Sequence, residues 1–515
     1  LLSAVIVAQS RGADAAPTPL DPRGLPGPLV LTGGKSLPKD VAKAFFDLAG
    51  KEKAKIVVIP TANANATEAK ALEAFVQQWK DMKAGSVIVL HTTDAKQANS
   101  EGFAKPLADA TGVWFVHGNA DRVLNAYRGT AVERELKKLH ARGGTIGCAV
   151  PGILGDKCLD ADAKKLVPSF GFVSGYIFDS NDKLATTVAA NPGTVGVRIP
   201  DGAGVFIRGR VARVIGDEAV EVYVGKGAGK PAANDDYNTG ALLDLLQLQR
   251  AAFNRAAKEP FPPAKVAEPN VAKGSLVIVG GGGAGEEIWK RFIQLAGGPD
   301  SQIVVVTTAM EDPLAPESVE EKVLKKYGAK NVVALHTRDR KEADNPKFSE
   351  VLLKAKGVWF SGGRQWRFVD SYEGTLTQKR FREVLDRGGV IGGSSAGASI
   401  QSEFMPRGHP LGNTVMAAEG YERGFGYLPG CAVDQHFFAR KRTGDMTGLM
   451  KQYPQYLGIG LDEGTAIVVT GTTAEVIGRT KVAFYDTTRK IPDGEKDYEE
   501  VVAGEKYDLK LRKKK

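Results

Sequence analysis

Ser395 stands in Gly393-Ser394-Ser395-Ala396-Gly397, directly after the apolar run "GGVIGG". A serine gains reactivity where a sharp strand-to-helix turn projects its hydroxyl and the following amide can donate to an oxyanion. Small neighbours permit that turn here, so the Ala396 N–H is a candidate oxyanion donor. The hydroxyl also needs a base. Of six histidines, His91 and His336 hold equivalent places in an internal repeat, which predicts structural roles. His117, His140 and His409 have no polar motif around them. His436, in "VDQHFFARKR" at the end of an apolar strand, is the candidate general base. A third group must orient the imidazole, and "LGIGLDEGTAIVV" offers Asp462 and Glu463, either of which fits. "WFSGGRQWRF" supplies Gly362, Gly363 and Gln365. The amides of its glycine pair are candidates for the other half of an oxyanion hole. This set predicts acyl transfer through an activated hydroxyl.

The elements that must position these residues occur twice. "LVLTGG" at 29–34 answers "LVIVGG" at 276–281, and "IVVIPTAN" at 56–63 answers "IVVVTTAM" at 303–310, both at an offset of 247. "VIVLHTTD", "GVWFVHGNADRVLNAYRGT" and "GGTIGCAVPGIL" answer "VVALHTRD", "GVWFSGGRQWRFVDSYEGT" and "GGVIGGSSAGAS" at an offset of 245. A repeat this long means two duplicated domains rather than a solenoid. Within each copy, β-branched runs such as "KIVVIP" and "SVIVL" read as strands buried on both faces. Between them lie amphipathic helical patterns. The alternation predicts an α/β fold: two tandem three-layer α/β/α domains, each a mostly parallel sheet with helices on both faces. The last part of each copy reads as strands at the antiparallel edge of the same sheet. The expected domains are 28–226 and 274–490. They are joined by a helical and Pro-rich linker at 227–273, and a basic tail follows at 491–515.

The copies differ where the chemistry lies. Val150 falls opposite Ser395, Asn181 opposite His436 and Asp201 opposite Glu463. Pro151 falls opposite Ala396, and proline has no N–H to donate. The first copy therefore lacks the hydroxyl and the base, and a structural role is expected for it, as one half of an intramolecular pseudo-dimer.

Together, "GGGGAGEEIWKRFIQLAGG", the glycine-pair loop, "SSAGAS", "DQHF" and "GIGLDEGTA" resemble the cyanophycinases and related aspartyl dipeptidases, the serine peptidases of family S51. The resemblance covers most of 274–486 and, more weakly, 28–224. It implies a class I glutamine amidotransferase-like fold and no cofactor or metal. It also implies exopeptidase hydrolysis of aspartyl peptide or isopeptide bonds, with cyanophycin-like β-Asp-Arg substrates favoured. In its terms Ser395 is the nucleophile, His436 the base and Glu463 the orienting acid. Gly363 and Ala396 give the oxyanion amides, and Gln365, Asp434, Gln435, Arg440 and Arg442 line the substrate pocket. Two positions depart from the family pattern. Arg364 precedes the glutamine where Asp or Asn is usual, and Asp445 stands where cyanophycinases tend to carry a third arginine. These departures and the losses of the first copy motivate the alternative, a catalytically inactive binding or scaffold protein. "GGGGAG" imitates a dinucleotide loop but lacks the context of that motif, so nucleotide binding is not expected.

Bulk properties agree with a globular protein of two domains. The chain has 515 residues, 43% hydrophobic and 25% charged, with a net charge of +9. No helix-turn-helix, zinc knuckle or aromatic-basic platform suggests nucleic acid as a partner, and no run is long enough to span a membrane. Part of the positive excess is "KLRKKK" at 510–515, expected as a solvated end. Cys148, Cys158 and Cys431 are too few for a disulfide framework. Cys148 and Cys158 are expected either to pair or to be buried apolar residues. The start, "LLSAVIVAQSRGADAAPTPLDPRG", reads as the rear of a secretory signal peptide followed by a linker, together residues 1–27. A secreted or periplasmic location is the corresponding expectation.

Overall fold

The computed structural model describes residues 19–34, 36–227, 229–312, 314–492 and 494–515. The expected export segment at residues 1–16 lies outside them. The chain forms two compact units, Leu1–Pro260 and Phe261–Lys515.

In the second unit the main sheet has nine strands. Its parallel half runs Asn331–Leu335, Gln302–Val306, Gly357–Phe360, Val390–Ser394 and Val271–Val279, in that spatial order. The antiparallel half continues with Thr465–Gly471, Thr473–Gly478, Lys506–Asp508 and Lys513–Lys514. Successive residues of one strand feed opposite cores. Leu276 and Ile278 join one apolar cluster, while Val277 and Val279 join another with Trp289 and Phe292 of the helix Glu286–Leu295. This explains the unbroken apolar runs, because both faces of the sheet are covered.

The first unit repeats the plan with eight strands. Ser86–Val89, Lys55–Ile59, Gly112–Phe115, Thr145–Cys148 and Leu25–Thr32 form its parallel half. Gly147 and Gly392 show why the frame persists in both copies. A Cβ on Gly147 would lie 2.1 Å from the Trp114 ring and 2.6 Å from Phe45. A Cβ on Gly392 would lie 2.6 Å from Trp359 and 2.8 Å from Phe292. An edge-to-face aromatic pair packs against a bare strand in each unit, and this demand is independent of catalysis.

Each unit also holds a second, smaller sheet that the single-sheet expectation lacked. In the second unit it comprises Ser402–Phe404, Leu428–Asp434, Leu457–Leu461, Lys481–Tyr485 and Glu499–Val502. In the first it comprises Tyr176–Asp179, Val195–Arg198, Val220–Val224 and Ala233–Tyr237. His436 therefore follows a strand of the small sheet, while Ser395 follows a strand of the main one.

The expected linker and tail are built into the units. Ala233–Tyr237 pairs with Val220–Val224, and Leu242–Asp244 extends the first main sheet beside Val211–Gly216. Asp244 then caps the helix Leu245–Ala256 by accepting from the Gln247 N–H, and it receives both nitrogens of a fork from Arg210 at 2.6 Å. Only the stretch around Pro260 separates the units. The strand expected to open near 274 starts at Val271. At the other end, Glu499–Val502, Lys506–Asp508 and Lys513–Lys514 are all paired strands. The lysines of this end stay exposed and pair at the surface, Lys510 with Glu268, Lys514 with Glu505 and Lys515 with Asp508, while the less exposed Arg512 meets Asp486. The three cysteines are free and buried. Among the described residues no helix is long and apolar enough to cross a membrane, and no group of three or more His, Cys, Asp or Glu is placed to hold a metal ion.

Candidate active site

Ser395 links Val390–Ser394 to the short helix Ala396–Ser399 and takes φ 56°, ψ −110°. A side-chain-bearing residue adopts this conformation only when its surroundings enforce it. Here the Ser395 N–H is tied to the Val279 carbonyl at 3.0 Å, and the flanking glycines let the turn close. A Cβ on Gly393 would lie 2.4 Å from the Gly397 carbonyl, and one on Gly397 would lie 1.9 Å from that of Phe360. Val150, at the matching place in the first unit, has φ −130° and ψ 67° and carries no such strain.

His436 comes two residues after Asp434 ends its strand, also at positive φ, 51°. Its Nε2 lies 2.9 Å from Ser395 Oγ, and its Nδ1 lies 2.6 Å from Glu463 Oε1. With Nδ1–H donating to the carboxylate, Nε2 is left to accept the serine proton. The choice between the two acids is settled in space. Glu463 meets the imidazole, whereas Asp462 accepts from the Ala439 N–H at 2.9 Å and so anchors the loop that follows His436. Burial lowers the His436 pKa from its ordinary value. The hydrogen bond to Glu463 pulls it the other way, and the charges of Arg440 and Arg442 lower it further. The imidazole is thus held neutral at neutral pH, the form that can take a proton.

The glycine run after the first strand of this unit gives the histidine its room. A Cβ on Gly281 would sit 2.3 Å from His436 Cε1 and 2.5 Å from Nε2, and one on Gly282 would sit 2.4 Å from Glu463 Cβ. The same loop holds the backbone, because the His436 N–H donates to the Gly280 carbonyl and the Gly464 N–H to that of Gly281, both at 2.7 Å. In the sequence these glycines only imitate a dinucleotide loop. Gly281→Ala is expected to lower kcat by about 10²-fold, the cost of displacing a reacting group by roughly an ångström, with little change in KM. Steady-state kinetics on the folded variant check it. An unchanged kcat would mean that the imidazole can shift freely.

Gly362 approaches the serine from the end of the neighbouring strand, and Gly363 follows it at φ 133°. A Cβ on Gly362 would lie 3.6 Å from Ser395 Cβ. Ala396 opens its helix, where a first-turn N–H has no intrahelical acceptor.

The five expected pocket residues fall into two groups. Arg440 is exposed. Gln365, Asp434, Gln435 and Arg442 are buried and bound to one another or to a nearby loop. Gln365 donates its amide to the carbonyls of Pro406 and Arg407, each at 2.9 Å. Arg442 donates to Asp434 Oδ1 at 3.2 Å and to the Gln435 carbonyl and Oε1 at 2.6 and 2.7 Å. The organiser of this network is Arg407, which the sequence did not flag. Its guanidinium, 3% exposed, grips both oxygens of Asp434 at 3.0–3.1 Å and Asp445 Oδ2 at 2.6 Å. The two departures from the family pattern belong to the same arrangement. Asp445 is a partner of Arg407, and Arg364 clasps the carbonyls of His409 and Gly412 at 2.8 and 2.6 Å. Nothing local marks Arg407, whose acidic partners lie 27 and 38 positions away. The histidines of the repeat are structural in both units: His91 Nδ1 meets Thr61 at 2.9 Å and His336 Nδ1 meets Thr307 at 3.2 Å.

Among the described residues the first unit holds no such chain. Asp201, in the place of Glu463, accepts from Ser36 Oγ at 2.6 Å instead of from an imidazole. Asn181, in the place of His436, caps a turn by accepting from the Lys183 N–H.

A model of peptidase family S51 matches residues 29–215 and 276–477. Among similar proteins, the cyanophycinase of Geminocystis herdmanii is 31% identical over 42% of this chain and 81% of its own length. That of Nostoc sp. is 29% identical over 43% of this chain and 76% of its own. A peptidase from an acI-B1 actinobacterium matches with a TM-score of 0.36 at 25% identity, over 47% of this chain and 98% of that one. With both halves of the chain matched by one family model, the protein belongs to peptidase family S51 and is a peptidase hydrolase.

Proposed function

We propose that the second unit hydrolyses aspartyl peptide or isopeptide bonds through a Ser395–His436–Glu463 triad. Ser395 Oγ attacks the scissile carbonyl carbon while its proton passes to His436 Nε2. The oxyanion that forms is received by the N–H groups of Gly363 and Ala396. Collapse of the tetrahedral adduct breaks the C–N bond, and His436 returns the proton to the leaving amine. Water, deprotonated by the same imidazole, then cleaves the acyl-enzyme to a free carboxylate and restores the serine. Glu463 keeps Nδ1 protonated and offsets the imidazolium charge. The observation that carries this reading is the continuous hydrogen-bonded chain from Ser395 to Glu463 at a strained turn. The names of the relatives favour cyanophycin-like β-aspartyl-arginine bonds as substrate, and exposed Arg440 beside the triad suits a substrate carboxylate.

Release assays on matched α- and β-aspartyl dipeptides test the substrate, and their pH profile tests the base. Cleavage is expected for β-aspartyl bonds, with an acid limb below the ordinary histidine pKa of about 6.5. Because the His436 pKa is lowered, the neutral base persists as pH falls past that value, and rate is lost only when pH drops through the lowered pKa. A limb above about 7 would contradict the assignment of His436.

A further inference from the structure

The first unit, stripped of hydroxyl and base, keeps a cavity of about 320 Å³ at the matching place. It opens at the carboxyl ends of Gly112–Phe115, Thr145–Cys148 and Tyr176–Asp179, and Asn119, Val150, Leu159, Asp160, Asp179 and Asn181 help to line it. Its size lies at the lower end of small-ligand pockets, about 300–1,000 Å³, enough for one side chain or one amino acid.

Asp179 is the counterpart of Asp434: each is the last residue of the matching strand, two positions before Asn181 and His436 respectively. In the second unit that carboxylate is held by Arg407 and Arg442. In the first unit neither cation exists. The stretch that carries Arg407 lies between 395 and 425, where the first copy has only 150 to 170, and in the register that pairs His436 with Asn181, Arg442 falls on Thr187. Asp179 receives backbone N–H groups, that of Asn181 at 2.9 Å among them, and no ion pair links it to a cation among the described residues. Arg198, on the strand paired with that of Asp179, gives its two terminal nitrogens to Asp182 and Glu221. A carboxylate drawn out of water without a cation is costly, and burial accordingly raises the pKa of Asp179.

We propose that this cavity is a binding site for a guanidinium or ammonium group, which takes against Asp179 the place that two internal arginines take against Asp434. With valine and proline at the elbow, the bound molecule is held without being cleaved. The ligand is therefore a basic residue within a peptide or a free basic amino acid, and both present the same cation.

The test uses the full chain carrying Ser395→Ala, so that nothing is consumed and the result is independent of the triad assignment. Calorimetric titration with L-arginine and with Gly-Arg-Gly is compared with the norleucine equivalents. Binding of at least one arginine probe and none of norleucine is expected. Asp179→Asn is expected to weaken it by about tenfold or more, as for loss of a charge-assisted hydrogen bond. Ala161→Trp, a change at the exposed rim of the cavity, is expected to block it, and decides the matter if Asp179→Asn does not fold. Any arginine held by the second unit persists in both variants and is counted separately. Binding of the tripeptide alone assigns the site to a chain residue, and binding of the amino acid alone to a released product. No arginine binding, equal binding of norleucine, or unchanged binding in the folded variants would overturn the proposal.

Discussion

Replacing Ser395 with alanine is expected to lower turnover by about 10⁵-fold or more, as removal of a hydroxyl nucleophile does when the rest of its triad is intact. The replacement deletes one atom from a site that is otherwise preassembled. The backbone of the turn is fixed by the Val279 carbonyl, the imidazole is held by Glu463, and the backbone of His436 is tied to the Gly280 carbonyl. The lesion should therefore appear in kcat, with substrate affinity largely kept. A residual rate over water should remain from the oxyanion amides and from binding alone. A fluorophosphonate probe should label the unmodified protein once per chain, at Ser395, because Val150 gives the first unit nothing to label. Turnover that survives the substitution would move the chemistry away from this turn.

The largest expected effect on stability belongs to Arg407. Arg407→Met keeps the length of the side chain and removes its charge from a site that is almost fully buried, beside a carboxylate with no exposure at all. Asp445 is half exposed and can turn to water. Asp434 cannot, and it would retain only the 3.2 Å contact with Arg442 and a backbone N–H. Breaking one side of a buried ion pair costs about 3–5 kcal/mol, and in a unit of this size each kcal/mol lowers Tm by about 2–4 °C. The transition of the second unit should therefore fall by about 6–20 °C in thermal unfolding. Arg407→Lys should fall between the parent and Arg407→Met, since it restores charge but not the two-pronged geometry. A shift of under about 2 °C for Arg407→Met would mean that Arg442 satisfies Asp434 unaided.

The same network shows where reading the sequence stops. Gln365, Asp434, Gln435, Arg440 and Arg442 came as a set from the family resemblance carried by short motifs. Their division did not. Four are buried and one faces solvent, and that division follows from a loop at 405–413 whose anchors, Gln365 and Arg364, come from another strand end. The paired strands after Lys226 and after Pro492 were missed for a related reason. "ANDDY", "KYD" and "KK" have no apolar alternation of their own, and they become strands because a neighbour offers an open edge, with opposite charges across the pairs only for "KYD" and "KK".

What the sequence determined by itself was the duplication, the alternating α/β plan and the candidate residues for the chemistry, because repeats, burial patterns and the short glycine-flanked motif are local properties. The strain at Ser395 was implied there too, since only small neighbours let that turn form. The tertiary structure decided which acid meets the imidazole. Asp462 and Glu463 are adjacent in the chain, and only the approach of Gly282 to one and of the Ala439 N–H to the other separates them. It also decided that Ser395 and His436 come from different sheets, and that the same aspartate is saturated by arginines in one copy and, among the described residues, has no ion-pair partner in the other. Each of these depends on groups far apart in sequence brought within hydrogen-bonding distance, and no local pattern encodes such a distance.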